Sequence, residues 1–517
     1  MSSSSCRECG RTIEALDPPT TPLCPHCRPA SESLEPLRPR SLAQLRISGR
    51  ATAVTLTVAI LCGLCVLGFA QWRYVVPGVL AAAAVPFIKR AFARAETAQP
   101  LRNKRRLQSQ LAWAVLVMTG CIAIMFVRKP DAFQNPQFWA EDQFLFCDAR
   151  ADGVASLLKT HSKGQTFFLQ RLIAYVGRPI PPRYAPAFYV FAALAGMLGV
   201  AAYVSRARID GLGQVPRALM AVAPALMFSS GDVFLTLANL HWILAVLTLT
   251  ILMERDPVTR PGRVLLFVGF AALSLTGPFI VILLPLFLLR ALLRRTPCSV
   301  ALAAVALPCA AWQLFQMQTS RTAGVVSWSD SSWQVLVGRN YIGQLFVGTL
   351  ADFPQVGNRW YLGALLVVYL LLGIYALRYR DGHVAALLVA SVLILASGAF
   401  AYRHAPAEIS QAGFRYYYVP YVCLTWALLM VAARAWMGAR LCASVAVVAI
   451  LAASLTHFMI PPMMDLHWAE SSRFIDGPEP CEIFINPYAH FFIFYEPKQL
   501  PPKWEVHMLP DPLPPQR

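Results

Sequence analysis

The chain has 517 residues, 57% hydrophobic and 14% charged, with 45 Lys and Arg against 27 Asp and Glu and a formal net charge of +18; its mean hydropathy is +0.51. A soluble protein of this length carries nearer a quarter charged residues, so this composition excludes an ordinary water-soluble enzyme. Much of the basic excess lies in short segments between apolar runs, which is the positive-inside pattern of a polytopic membrane protein rather than a nucleic-acid-binding surface.

The N-terminus opens with Cys6 and Cys9, then Cys24 and Cys27. Paired C-x2-C turns aim four thiolates at one ion, which predicts a structural zinc ribbon over 1–30. All four ligand positions are filled, so this zinc has no open site for catalysis. Thiolate ligands persist in a reducing compartment, which puts this end in the cytosol. A Pro/Ser/Arg-rich linker follows over 31–50, and no cleavable signal peptide is visible. Residues 51–109 read as an accessory transmembrane hairpin and a basic cytosolic loop. Cys62 and Cys65 repeat the spacing inside an apolar run and read there as small packing residues.

Apolar runs of roughly 15–22 residues, long enough to span a bilayer when tilted, recur at 52–70, 75–92, 110–127, 186–204, 216–229, 240–253, 264–276, 278–293, 298–318, 360–378, 383–401, 418–436 and 441–460. They predict an all-α polytopic protein of about 13 transmembrane helices, with the core over 110–460. Basic residues such as Arg106, Arg206, Arg217, Arg255, Arg263, Arg290, Arg294 and Arg378 fall on the inner side of this count. The tail 461–517 then lies outside. Thr276-Gly277-Pro278 breaks one apolar stretch into two short helices, with the break near the outer face. In the tail, 481–487 and 491–495 read as a small β-hairpin around Asn486-Pro487.

Several segments could carry chemistry. Glu141-Asp142 follows Phe138-Trp139 in the first outer loop. Carboxylates half-buried at headgroup level are suited to proton transfer or metal binding; a solvated acidic pair is the plainer reading, and the two stand level. Arg171 lies in an apolar helical stretch, where it either forks onto a lipid phosphate or snorkels without a ligand. Asn239-Leu240-His241-Trp242 opens a helix from the outside, and its His241 either contacts a phosphate or sugar hydroxyl or serves as an interfacial anchor. Asp232 is a partner for it or a helix cap. Arg415, with Arg403 and His404, gives the loop 402–417 a positive character suited to an anionic headgroup, and Arg321, Arg339 and Arg359 are weaker candidates of the same kind. Cys147 and Cys481 are the two cysteines in outer segments, where a disulfide is permitted. No P-loop, GxSxG or HExxH occurs, and ionisable residues are sparse at mid-membrane, which disfavours an ion-driven carrier.

Taken in order, Phe138-Trp139-Ala140-Glu141-Asp142, Gln170-Arg171-Leu172, Asn239-Leu240-His241-Trp242, Thr276-Gly277-Pro278, Arg415-Tyr416 and Ile483-Phe484-Ile485-Asn486-Pro487 resemble the C-type (GT-C) polytopic glycosyltransferases over about 110–500. The resemblance implies transfer of a sugar from a polyprenyl-phosphate donor to a glycan or lipid acceptor on the outer face of the plasma membrane. Asp142 or Glu141 would be the general base or position a divalent cation. The family order is often Asp-Glu, and the reversal here leaves open which of the two acts. Arg171, His241, Arg415 and Asn239 would bind substrate. The ribbon and first hairpin depart from the family and would offer a docking handle for a cytosolic protein. The competing functions are a non-enzymatic protein that binds or exports a lipid-linked glycan, and a polysaccharide polymerase or ligase.

Overall fold

The structure is a computed structural model that describes residues 103–160, 164–229, 231–319, 340–348, 358–401, 414–486, 491–496 and 503–508, together with strands β1 (Ser3–Ser5) and β2 (Thr12–Glu14). The chain divides into two units, Met1–Ile60 and Leu61–Arg517. In the first, β1 and β2 pair antiparallel, Ser3 opposite Glu14 and Ser5 opposite Thr12. Cys6, Cys9, Cys24 and Cys27 lie outside the described residues, as do the runs 52–70 and 75–92.

The second unit is built of helices α1 (Asn103–Arg128), α2 (Asp142–Asp152), α3 (Phe168–Val176), α4 (Ala185–Arg206), α5 (Gln214–Leu226), α6 (Leu240–Met253), α7 (Arg260–Ser274), α8 (Phe279–Arg294), α9 (Pro297–Thr319), α10 (Asn358–Tyr379), α11 (Gly382–Ala401), α12 (Arg415–Arg434) and α13 (Met437–Leu455). Among the described residues six helices are long and apolar enough to cross a membrane: Gln110–Arg128, Pro182–Arg206, Pro297–Gln318, Trp360–Tyr379, Arg415–Arg434 and Met437–Leu455. The remaining apolar helices are shorter. The 14 residues of α6 reach about 21 Å, less than a hydrocarbon core of about 30 Å.

Burial separates two kinds of helix. In α6 every residue but Leu247 is buried, and α12 is buried continuously from Tyr417 to Val431. A helix apolar on all faces must be enclosed by others. α6 packs against α4, α7, α8, α11 and α12, and α12 also against α5 and α13. By contrast α10 exposes Leu366, Leu370, Leu371 and Leu377, and α7 exposes Val264, Leu265 and Val268. Those outward apolar stripes are what lipid-facing surfaces require.

Prolines inside the bundle are compensated by side chains. Pro224 in α5 has no N–H to offer the carbonyl of Met220 one turn earlier. Trp426 of α12 donates its indole N–H to that carbonyl at 2.8 Å, and Tyr418 donates to the Pro224 carbonyl at 3.1 Å.

Ion pairs and caps gather at the two ends of α6. At its C-terminus Arg290 donates to the carbonyls of Ile251, Leu252 (3.1 Å) and Glu254 (3.1 Å) and pairs with Asp256 at 2.7 Å. Arg294 reaches Glu254 O at 2.8 Å, His383 contacts Met253 O at 3.2 Å, and Arg434 pairs with Asp381 at 2.6 Å. Cations at a helix C-terminus complement its exposed carbonyls and dipole. Arg290 and Arg294 are among the basic residues that the sequence assigns to the inner side.

The tail forms a three-stranded antiparallel sheet of β3 (Cys481–Ile485), β4 (Phe491–Glu496) and β5 (Lys503–Met508), in the order β3-β4-β5. The expected hairpin is β3-β4, and β5 extends it. Cys147, buried, and Cys481 are both free thiols, so the disulfide permitted by their compartment is not formed.

Candidate functional site

The site lies at the N-terminal end of α6. Its frame begins with Arg128 and Lys129 at the end of α1, both at most 1% exposed. Arg128 donates to Ala225 O (2.7 Å) and Met227 O (2.8 Å), closing the end of α5, and stacks on Phe234 at 4.2 Å. The Lys129 ammonium donates to Gly231 O at 3.1 Å and Phe234 O at 3.0 Å. Between them they fold residues 231–239 into the interior, where Leu235 is held at a left-handed φ of 59°. For a bulky non-glycine residue that conformation is strained, and it persists only where the surroundings impose it.

Asp142 is the first residue of α2 and 2% exposed. Its Oδ1 accepts the Ala238 N–H at 2.8 Å and its Oδ2 the Trp139 N–H at 3.2 Å. Burial pushes its carboxyl up to about 7, against the opposing pull of those two backbone N–H bonds and of Lys129; the neighbouring Glu141 adds to the rise. The other side of the same peptide unit is also used. Ala238 O receives Gln170 Nε2 at 3.3 Å and faces His241 Nδ1 at 2.9 Å. A carbonyl can only accept, so Nδ1 carries the proton in this tautomer. The Asp142 carboxylate, Gln170 and His241 are therefore joined through one residue, Ala238.

Arg415 opens α12 on the same side. It pairs with Asp232 at 2.8 Å and, more loosely, with Glu141 at 3.4 Å. The Asp232 side chain is 1% exposed and that of Glu141 25%. Four buried atoms here have no hydrogen-bond partner: Glu141 Oε2, Asp232 Oδ1, Asn239 Nδ2 and Trp242 Nε1. Buried polar groups are paired in the great majority of cases, so a group of unsatisfied donors and acceptors in one place marks a site rather than a core.

His241 lies between aromatic rings, 4.9 Å from Phe167 and 6.1 Å from Phe279. Gly277, at φ +80°, closes over it: an added Cβ would meet the His241 Cβ at 3.2 Å. The Thr276-Gly277-Pro278 break between α7 and α8 docks on the segment between α2 and α3 through Gly277 N–H to Thr166 O at 2.9 Å. Asn486 of the tail accepts the Ala140 N–H at 2.6 Å, one residue before the acidic pair. The tail sheet is thus anchored beside the site.

The structure brings Glu141, Asp142, His241, Asn239 and Arg415 together. Arg171 stands one step apart: it is 1% exposed and pairs with Asp148 of α2 at 2.9 Å rather than with the acidic pair. The residues Arg321, Arg339, Arg403 and His404 lie outside the described residues, and nothing of the Arg359 side chain is described. Asp232, weighed in the sequence as a partner for His241 or a cap, is the Arg415 partner; Lys129, which braces the loop, carries no signal in the sequence beyond its charge at the end of an apolar run. A divalent cation at the acidic pair would share Asp142 oxygens that accept backbone N–H groups and sit beside a Glu141 whose Oε1 faces Arg415. Among the described residues no group of three or more His, Cys, Asp or Glu is arranged to hold a metal.

No protein-family model matches the chain, and neither a curated protein nor a solved structure matches it.

Proposed function

We propose that the protein is an integral membrane glycosyltransferase of GT-C type, moving a sugar from a polyprenyl-phosphate donor to a glycan or lipid acceptor on the extracytoplasmic face of the plasma membrane. The observation that carries the reading is the acidic pair held beside the start of α6, Asp142 buried on the Ala238 N–H and Glu141 on Arg415. A scaffold or carrier has no use for a carboxylate at 2% exposure held by the N–H groups of Trp139 and Ala238, next to a second carboxylate paired with Arg415 of α12.

In this reading Glu141 is the base and Asp142 positions it. The bare Oε2 of Glu141 takes the acceptor hydroxyl proton as the acceptor oxygen bonds to the anomeric carbon. The bond from that carbon to the donor phosphate breaks, and the phosphate leaves with the electron pair. Arg171, His241 and Asn239 are the candidate substrate contacts, Arg415 holds Glu141 and Asp232 rather than substrate, and a preorganised guanidinium lowers the cost of the charge left on the phosphate. The reading needs no metal at this pair.

The topology that goes with it has thirteen spans, the N-terminus and its zinc ribbon inside, the tail outside. The clustering of basic residues at the C-terminal end of α6, opposite the site, supports that sidedness. Reporter fusions at Arg106, Arg295 and Pro510 test it, with inside, inside and outside expected. The activity is tested with purified full-length protein in nanodiscs and a panel of radiolabelled polyprenyl-phosphate sugars with cell-envelope glycolipids. Release of polyprenyl phosphate with label in the acceptor supports the reading; no transfer across the panel counts against it.

A further inference from the structure

Among the described residues Arg171 is the buried cation with two nitrogens lacking a hydrogen-bond partner. Its Nη1 is fixed by Asp148 at 2.9 Å. Asp148 is held in turn by Lys159 at 2.5 Å, which also bonds Asp152 at 2.7 Å. One corner of the guanidinium is therefore locked in place. Its Nε and Nη2 have no hydrogen-bond partner, although the residue is 1% exposed. Those two N–H groups run parallel along one edge of the plane, the edge that grips a phosphate or carboxylate with two bonds at once.

The other buried arginines show what a bracing role looks like. Arg128 gives both terminal nitrogens to the carbonyls of Ala225 and Met227. Arg290 spends its nitrogens on Leu252, Glu254, Asp256 and Ser299. Arg171 braces α3 to α2 with a single nitrogen and leaves its fork unpaired. The surroundings add to the case. Gln143 of α2, 0% exposed, has neither end of its amide bonded.

Arg415 is in the opposite condition. Two carboxylates, Asp232 and Glu141, share its Nη1, so its charge is already engaged by carboxylates.

We propose that Arg171, through Nε and Nη2, is the oxyanion-binding residue of this protein and takes a phosphate-type group, while Arg415 organises the carboxylates and does not bind phosphate. Taking that phosphate to be the lipid-linked one rests on the reading above; a free phosphate has the same chemistry.

The test uses full-length protein in nanodiscs with two probes, inorganic phosphate and a short-chain polyprenyl monophosphate, and follows binding by titration. The wild type should bind the lipid probe. Arg171→Lys keeps the charge but not the fork, and should weaken binding at least about tenfold. Arg415→Lys should change it by less than about threefold. Asp148→Asn frees Nη1 and removes a negative charge, so it should tighten binding severalfold; an arginine that merely braces α3 would lose stability without any such gain. This last arm decides the matter if Arg171→Lys does not fold. The proposal is overturned if the wild type binds neither probe, if Arg171→Lys binds as the wild type does, or if Arg415→Lys alone abolishes binding. Inorganic phosphate binding as tightly as the lipid probe would overturn the lipid source and keep the oxyanion. Binding needs no turnover, so a protein that binds polyprenyl phosphate through Arg171 yet transfers no sugar upholds this proposal and defeats the transferase reading.

Discussion

Arg415 holds Asp232 at 2.8 Å across 183 residues of sequence, and Glu141 leans on the same guanidinium nitrogen at 3.4 Å. The start of α2, the segment before α6 and the start of α12 thus meet at one cation. Removing it leaves a carboxylate at 1% side-chain exposure without a counterion. Breaking a buried pair from one side costs about 3–5 kcal/mol, whereas removing both partners costs much less. Arg415→Ala should therefore lower thermal stability sharply, and Arg415→Ala/Asp232→Ala should recover much of it. Melting curves of the purified variants check this, and additive losses would show that the pair is not coupled.

Asp142 predicts a pH dependence of opposite sign to that of an ordinary salt-bridged carboxylate. Its carboxyl is raised to about 7 in the folded protein, above an unfolded value of about 3.9. The folded state therefore binds the proton more tightly. The Asp142 contribution favours folding at low pH, declines as pH rises from about 4 to about 7, and is flat above. Melting temperatures of the wild type should fall across that window more steeply than those of Asp142→Asn. Parallel pH profiles for the two proteins would contradict the assignment.

Trp426 and Pro224 make a third coupled pair. Trp426→Phe strands the Met220 carbonyl that Pro224 cannot serve and should cost about 1–2 kcal/mol. In a Pro224→Ala background the helix supplies its own N–H, so the same substitution should cost distinctly less. A thermal double-mutant cycle measures the difference, and equal costs in both backgrounds would refute it.

The helices were legible because each is an apolar run bounded by charge or proline. Of thirteen such runs, the eleven beyond residue 100 coincide with helices α1 and α4–α13, including the break at Thr276-Gly277-Pro278. Boundaries moved where local pattern does not decide them: α12 starts at Arg415, three residues early, because Arg415 is held by Asp232 and Glu141 rather than by water. The acidic pair, His241 and Arg415 were visible as charge in aromatic, interfacial settings. The pairing among them was not, since Asp232 reads as a cap and Lys129 as a flanking charge until the 231–239 segment is folded inward. The strand β5 was missed because Lys503-Trp504-Glu505-Val506-His507-Met508 alternates weakly and gains its place only by pairing with β4.

The measurement that bears most directly on the account is single-turnover sugar transfer by the full-length protein in nanodiscs, compared between the wild type and Glu141→Gln. Glu141→Gln keeps the size of a side chain that is part exposed, so it should remain folded, bind polyprenyl phosphate as before and lose transfer by about 100-fold or more, the scale of a lost general base. Transfer at the wild-type rate in a folded Glu141→Gln protein would contradict the account.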